Sequence, residues 1–154
     1  MDQLDYKILE ILKENGRETA STISKKVHLS VSAVLDRIKK LEENQLIRYY
    51  TIIVNERAIG NVMTAIMEVS LEHPKFQDEF IEAICRHPNV IACYYLTGDF
   101  DFLLKICSSS ADHMEEIYRQ IKGIPGVWNT RTHFILKEIK NIYTAIPPEP
   151  EEKR

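Results

Sequence analysis

The 154-residue chain has little glycine, five residues, and little cysteine, three. Few glycines leave no place for a phosphate cradle: neither G-x-x-x-x-G-K-[ST] nor G-x-G-x-x-G occurs. G-x-S-x-G and H-E-x-x-H are also missing, so the commonest hydrolase signatures are excluded. Cys85, Cys93 and Cys107 form no C-x-x-C pair. An odd, scattered set implies reduced thiols, and the apolar strands around Cys93 and Cys107 make them core filling. No run of about 18 apolar residues could span a membrane. The charged, amphipathic opening MDQLDYKILEILKENG lacks a secretory pattern, so a cytoplasmic protein is expected. His28, His73, His87, His113 and His133 share no metal-ligand spacing. No metal and no cofactor are implied.

What is present is charge in a pattern. The net charge is −3, which argues against a polyanionic partner on average. Between Arg17 and Lys40, however, six cations stand against two carboxylates. Because salt screens charge beyond about 8–10 Å, the local patch decides what binds there.

That patch lies in three successive helical segments. The first carries Leu4, Ile8, Ile11 and Leu12 at helical spacing, with Gly16 as a stop. The second starts with Thr19 as N-cap and places Ala20, Ile23 and Val27 on one face. After the break His28-Leu29, Ser30 caps a third helix running to about Asn44. On a helical wheel starting at Ser32, Val31, Val34, Leu35, Ile38 and Leu41 occupy an arc of about 180–300°. Ser32, Ala33, Asp36, Arg37 and Lys40 occupy about 0–140°. Small residues where backbone approaches bases, and long cations where phosphates lie, suit a helix in a major groove. The pair of helices reads as a winged-type helix-turn-helix, with Arg17 as a phosphate contact and Lys25 and Lys26 as weaker ones. The competing reading is a three-helix bundle with a solvated basic face.

Gln45 to Asn55 is β-branched and aromatic and predicts a strand. We divide the chain into a helix-turn-helix domain (1–50), a strand and linker (51–61), a second domain (62–143) and a tail (144–154) rich in Pro and charge. The second domain reads strand (62–71), helix (75–86), strand (90–96), strand (102–107), helix (111–122), strand (127–139). HPNVIACYY and IPGVWNTRT mark a weak internal repeat. Two βαβ-type units predict a ferredoxin-like βαββαβ sandwich, so the fold class is α+β. The helices would cover one sheet face. The other also reads as largely apolar, which predicts sheet-to-sheet dimerisation.

Gly98-Asp99-Phe100-Asp101 interrupts the apolar run YYLTGDFDFLLKI. It can be a solvated hairpin turn, a catalytic pair, a metal site or half of a small-molecule site. Two carboxylates alone are too few oxygens for a hard cation, and no nucleophile accompanies them. A zwitterion site completed by a second subunit stands against the plain turn.

Taken together, LDYKILEILKENGR, ISKKVHLSVSAVLDRIKKLEENQLI followed by YY, LTGDFDFLLKI and IPGVWNTRTHFILKEIK resemble the Lrp/AsnC, or feast/famine, transcription regulators. The resemblance spans residues 2 to about 143. It implies a DNA-binding helix-turn-helix, a βαββαβ effector domain, and dimers that assemble further, often to octamers, with amino acids bound between subunits. Ser30, Ser32, Ala33, Arg37 and Lys40 match the family's recognition-helix region. Leu96, Thr97, Gly98, Asp99 and Asp101 match its effector loop, with Thr130 and Thr132 nearby. His28 and Gln45 stand where the family often has Gly, which leaves the local turn geometry open: either position can place a non-glycine residue at φ > 0. A sequence-specific regulator modulated by an amino acid is the expectation. A ligand-independent, chromatin-type DNA-organising protein of the same fold is the alternative.

Overall fold

The computed structural model describes residues 1–141 and 143–147 and resolves two compact units, one built on Met1–Ile53 and the other on Val54–Ile139. Most of the tail predicted over 144–154 lies outside the described residues.

In the first unit side-chain caps set the helices: Thr19 and Ser30, as read from the sequence, and Asp2, which the sequence reading did not name. Helix α1 (Gln3–Glu14) begins at Asp2, which accepts from the Asp5 N–H at 3.0 Å while the Asp5 carboxylate accepts from the Asp2 N–H at 2.9 Å. This is a reciprocal capping box. Helix α2 (Ala20–Val27) begins at Thr19, whose hydroxyl accepts from the Thr22 N–H at 3.1 Å. Helix α3 (Val31–Glu43) begins at Ser30, which accepts from the Ala33 N–H at 3.2 Å. His28 and Gln45 take φ of 56° and 57°, the left-handed conformation that glycine adopts at less cost. Ile8, Ile23, Val27, Val34 and Leu41 close a core between the three helices.

The strand expected over Gln45–Asn55 does not form: residues 45–62 contain no strand, and so no wing. Tyr49, Ile52 and Ile53 are 73%, 77% and 69% exposed. Their β-propensity expresses itself only where a neighbouring strand takes up the backbone groups, and this segment has none among the described residues.

The second unit contains β1 (Met63–Leu71), a 3₁₀ turn (Pro74–Phe76), α4 (Gln77–Arg86), β2 (Val90–Tyr95), β3 (Phe102–Ser108), α5 (Ala111–Lys122) and β4 (Val127–Phe134). All neighbouring strands pair antiparallel in the order β2-β3-β1-β4. This is the βαββαβ sandwich expected from the repeat. The last strand stops at Phe134 rather than Ile139. Ala65, Met67, Val69, Phe102, Leu104 and Ile106 face the helices and pack on Phe80, Ile84, Met114, Ile117 and Ile121. Cys107 is buried as expected, but Cys93 is exposed, because β2 is a sheet edge.

Alternation places Ile66, Glu68, Leu103 and Lys105 on the face without helices. That face is less apolar than the sequence reading held. Glu68 pairs with Arg131 at 3.7 Å and with His133 at 3.4 Å, and Lys105 pairs with Glu138 at 3.3 Å. Antiparallel register brings Glu68 opposite Arg131, an arrangement invisible in either strand alone.

Candidate functional site

Two sets of predicted site residues fall in different units, and the structure revises both. On α3 the exposed and packed arcs are rotated from their predicted positions. Val34 and Leu41 are buried, and Ala33, Arg37 and Ile38 are half-buried beside them. Val31 and Leu35, expected in the core, are 43% and 53% exposed. The open face of α3 is therefore Val31, Ser32, Leu35, Asp36 and Lys39, continuing to Lys40. On the wheel the packed arc spans about 100–240°, about 70° from its predicted place. Apolarity alone misplaced it. A three-helix unit has room for only a narrow contact stripe, and α1 packs against the Ala33–Arg37 side.

Arg37 is the clearest departure. It does not extend to solvent as a free cation. Its Nη1 donates to Asp2 Oδ1 at 2.9 Å, Asp2 Oδ2 at 2.8 Å and Asp5 Oδ1 at 2.6 Å. Asp2 is held below the ordinary carboxylate range, first by the Asp5 N–H and then by Arg37, while the two carboxylates raise the Arg37 guanidinium. Lys26 pairs with Glu18 at 3.2 Å and Lys39 with Glu43 at 3.7 Å. Among the described residues Arg17, Lys25 and Lys40 are exposed and make no ion pair, which leaves them available for an external anion. Ser30 serves as the cap of α3, and its hydroxyl also lies 3.1 Å from that of Ser32.

In the second unit, Leu96–Asp101 forms the β2–β3 connection. The Leu96 N–H donates to the Asp101 carbonyl at 2.8 Å, closing the turn. Gly98 has φ of +127°, so it supplies backbone geometry that an L side chain resists. Thr97, Gly98 and Asp99 are exposed. The two carboxylates differ in employment. Asp99 projects into solvent, and its backbone carbonyl accepts from the Ser70 hydroxyl at 3.2 Å. Asp101 turns inward, and its Oδ2 accepts from the Leu71 N–H at 2.7 Å. This bond satisfies β1 where its pairing with β4 shifts register, between Ser70 and Leu71. The pair is thus not two equivalent solvent-facing acids.

Thr130 lies opposite Val69, whose carbonyl accepts from the Asp101 N–H at 3.0 Å, so one β1 residue links it to the loop. The Thr130 hydroxyl donates to Tyr118 at 3.3 Å, and the buried Thr132 hydroxyl has no partner among the described residues. Both threonines sit on the helix-covered face. The residue that sequence reasoning missed here is Arg131. It lies 4.9 Å from the centroid of the Phe100 ring, which is 8% exposed, and it pairs with Glu68. Phe100 therefore anchors the loop to β4 by a cation–π contact. The motif read as acidic has its hydrophobic residue as the anchor.

Among the described residues no group of three or more His, Cys, Asp and Glu side chains could hold a metal, and no helix is long and apolar enough to cross a membrane.

Residues 1–42 match the AsnC-type helix-turn-helix domain, and residues 64–144 match the Lrp/AsnC ligand binding domain. The chain is 32% identical to the HTH-type transcriptional regulator FL11 of Pyrococcus horikoshii, over 96% of each chain. It is 35% identical to the leucine-responsive regulatory protein of Haemophilus influenzae, over 91% of this chain and 86% of that one. A transcriptional regulator of Neisseria meningitidis, solved as an L-Met complex, superposes with a TM-score of 0.90 at 30% identity, covering 95% and 96% of the two chains. These matches take in both units, and this is a regulatory family rather than an enzymatic one. With its capped helix-turn-helix and its βαββαβ unit, the chain belongs to the Lrp/AsnC family of DNA-binding transcriptional regulators.

Proposed function

We propose that this regulator is modulated by an amino acid bound at the Leu96–Asp101 loop, and that binding shifts its assembly and thereby its occupancy of DNA. The observation carrying this reading is the exposed Thr97-Gly98-Asp99 turn, anchored by Phe100 and Asp101. The relative solved with L-Met, alike over nearly the whole chain, supports it. In our reading the effector's ammonium group meets Asp99, whose carboxylate is uncommitted, while Asp101 holds the loop. The effector's carboxylate meets backbone N–H groups around Gly98. Thr130 and Thr132 border the site through β1 and β4.

The site is completed between subunits. Ile91, Tyr94, Trp128 and Phe134 are all more than half exposed, and in the assembled form we place them at contacts between chains. The Glu68–Arg131–His133 group then fixes register there. Dimers associate further, to an octamer, in the cytoplasm. On DNA, Ser32 and the open face of α3 around Leu35 approach the bases, and Arg17, Ser30 and Lys40 meet phosphates. Modulation requires that the effector bind two assembly states unequally.

The test is thermal unfolding and sedimentation of the full chain with each proteinogenic amino acid in turn. A stabiliser that also changes the oligomer distribution is expected. If no amino acid moves the unfolding temperature, the oligomer distribution or DNA affinity, the protein is a ligand-independent regulator. Steep salt dependence with little sequence preference would instead mark a DNA-organising protein.

A further inference from the structure

We propose that Arg37 is a positioning residue of the DNA-reading helix: it ties the middle of α3 to the N-terminus of α1 and contacts no phosphate itself. A cation in the second half of a recognition helix ordinarily reads as a backbone contact. Here the guanidinium is already turned toward α1, with both N–H groups of Nη1 engaged. One nitrogen, Nη1, serves three carboxylate oxygens at 2.6–2.9 Å, and Arg37 and Asp5 are largely withdrawn from solvent, at 28% and 17% side-chain exposure. Charge-assisted bonds of this length are among the stronger polar contacts a protein makes.

The carboxylates are fixed in their turn. Asp2 and Asp5 cap each other's backbone N–H groups at the first turn of α1, so the guanidinium binds a rigid fork rather than two mobile side chains. An open cleft beside this tie is lined by Ala33, Asp36, Lys40 and Leu41 from α3. The hydrophobic contact between α1 and α3 can slide, since apolar contacts carry little direction. The ion triad is directional, and it sets the rotation that presents Ser32, Leu35, Asp36 and Lys39 outward. Moving Arg37 to a phosphate would leave two carboxylates facing each other at the helix end. The tie therefore persists when DNA is bound.

Replacing Asp2 and Asp5 together by Asn isolates the charge. Asn is as good an N-cap as Asp, and its amide oxygen can still accept the reciprocal bonds. Arg37→Ala removes the other partner. Each variant is titrated against a duplex selected from a random library by the wild-type protein, and against an unselected duplex of about three helical turns. Both titrations run across a salt series. Affinity for the selected duplex is expected to fall about five- to 150-fold in both variants, the range spanned by one lost base pair. The unselected duplex should be bound nearly as before, with the slope of log affinity against log salt unchanged. The triple variant should be no worse than the weaker of the two.

A phosphate contact predicts otherwise. Arg37→Ala would lower the salt slope by about 0.9 and weaken both duplexes alike, overturning the proposal. Tighter DNA binding by the Asp2→Asn/Asp5→Asn pair would overturn it too, showing that the carboxylates withhold Arg37 from DNA. Should Arg37→Ala fail to fold, the double Asn variant, whose caps are kept, carries the test by itself. A purely stabilising role would lower the unfolding temperature while leaving the ratio of selected to unselected affinity unmoved, and that result also refutes positioning.

Discussion

Consider Asp101→Ala. In the wild type the Asp101 carboxylate accepts from the Leu71 N–H at 2.7 Å, at the bulge where β1 changes register against β4. Alanine leaves that N–H half-buried without a partner. A hydrogen bond to a charged acceptor contributes about 1.5–3 kcal/mol, and an orphaned donor costs about 1–3 kcal/mol. These are two descriptions of one loss, so a destabilisation of about 2 kcal/mol is expected. For a unit the size of Val54–Ile139 that corresponds to about 8–16 °C in unfolding temperature. Asp101→Asn retains an oxygen acceptor without the charge and should lose about half as much. The assay can be confined to the right unit, because Trp128, the single tryptophan, lies in β4. Its emission follows unfolding of the effector unit rather than of the helix-turn-helix. The decisive comparison adds whichever amino acid stabilises the wild-type chain. If Asp101 is structural, Asp101→Asn lowers the baseline temperature while a ligand-induced rise survives, and Asp99→Asn does the reverse. An unchanged baseline in Asp101→Ala, with the ligand-induced rise abolished, would refute the assignment and make Asp101 the ammonium ligand.

Other perturbations separate backbone from side chain. Gly98→Ala meets nothing within 4 Å but must adopt φ of +127°, so about 1–2 kcal/mol of strain is expected. Gly126→Ala adds a clash, its Cβ falling 2.3 Å from Phe76 Cγ at φ +85°, and denaturant unfolding should show a loss of about 3 kcal/mol. His28→Gly and Gln45→Gly relieve left-handed non-glycine residues, and each should raise stability by about 0.5–1 kcal/mol in the same assay, after the extra unfolded-state entropy of glycine. Leu35→Ala should change stability by no more than about 0.5 kcal/mol, since Leu35 is 53% exposed, yet alter base preference in a selection experiment. Asp2 has a folded pKa below its ordinary 3.8. It therefore contributes stability above that ordinary value, and the contribution is lost as pH falls through the lowered one. Acid titration of helicity should show this step, and Asp2→Asn should remove it.

The sequence by itself determined the parts governed by local chemistry. Thr19, Ser30 and Asp2 cap helices because their side-chain oxygens reach N–H groups two or three residues on, a relation written within four consecutive residues. Gly98 marks its turn, and the repeat of helix, Pro, turn and Val marks the two βαβ-type units, by the same local logic. Four motifs in order, LDYKILEILKENGR, ISKKVHLSVSAVLDRIKKLEENQLI with YY, LTGDFDFLLKI and IPGVWNTRTHFILKEIK, suggested the family, and the match of both units established it. The tertiary structure decided what depends on partners distant in the chain. Periodicity found two faces of α3 but not the rotation between them, because α1 fixes it through a bond from Arg37 to Asp2, 35 residues away. The segment 45–55 has strand propensity without a strand, because a ladder needs a neighbour. Asp99 and Asp101 look equivalent on paper. They differ in fact because Leu71, 30 residues from Asp101, presents an N–H to one of them alone. Local propensities act over a turn or a strand, whereas hydrogen-bond partners across a fold are set by packing and register.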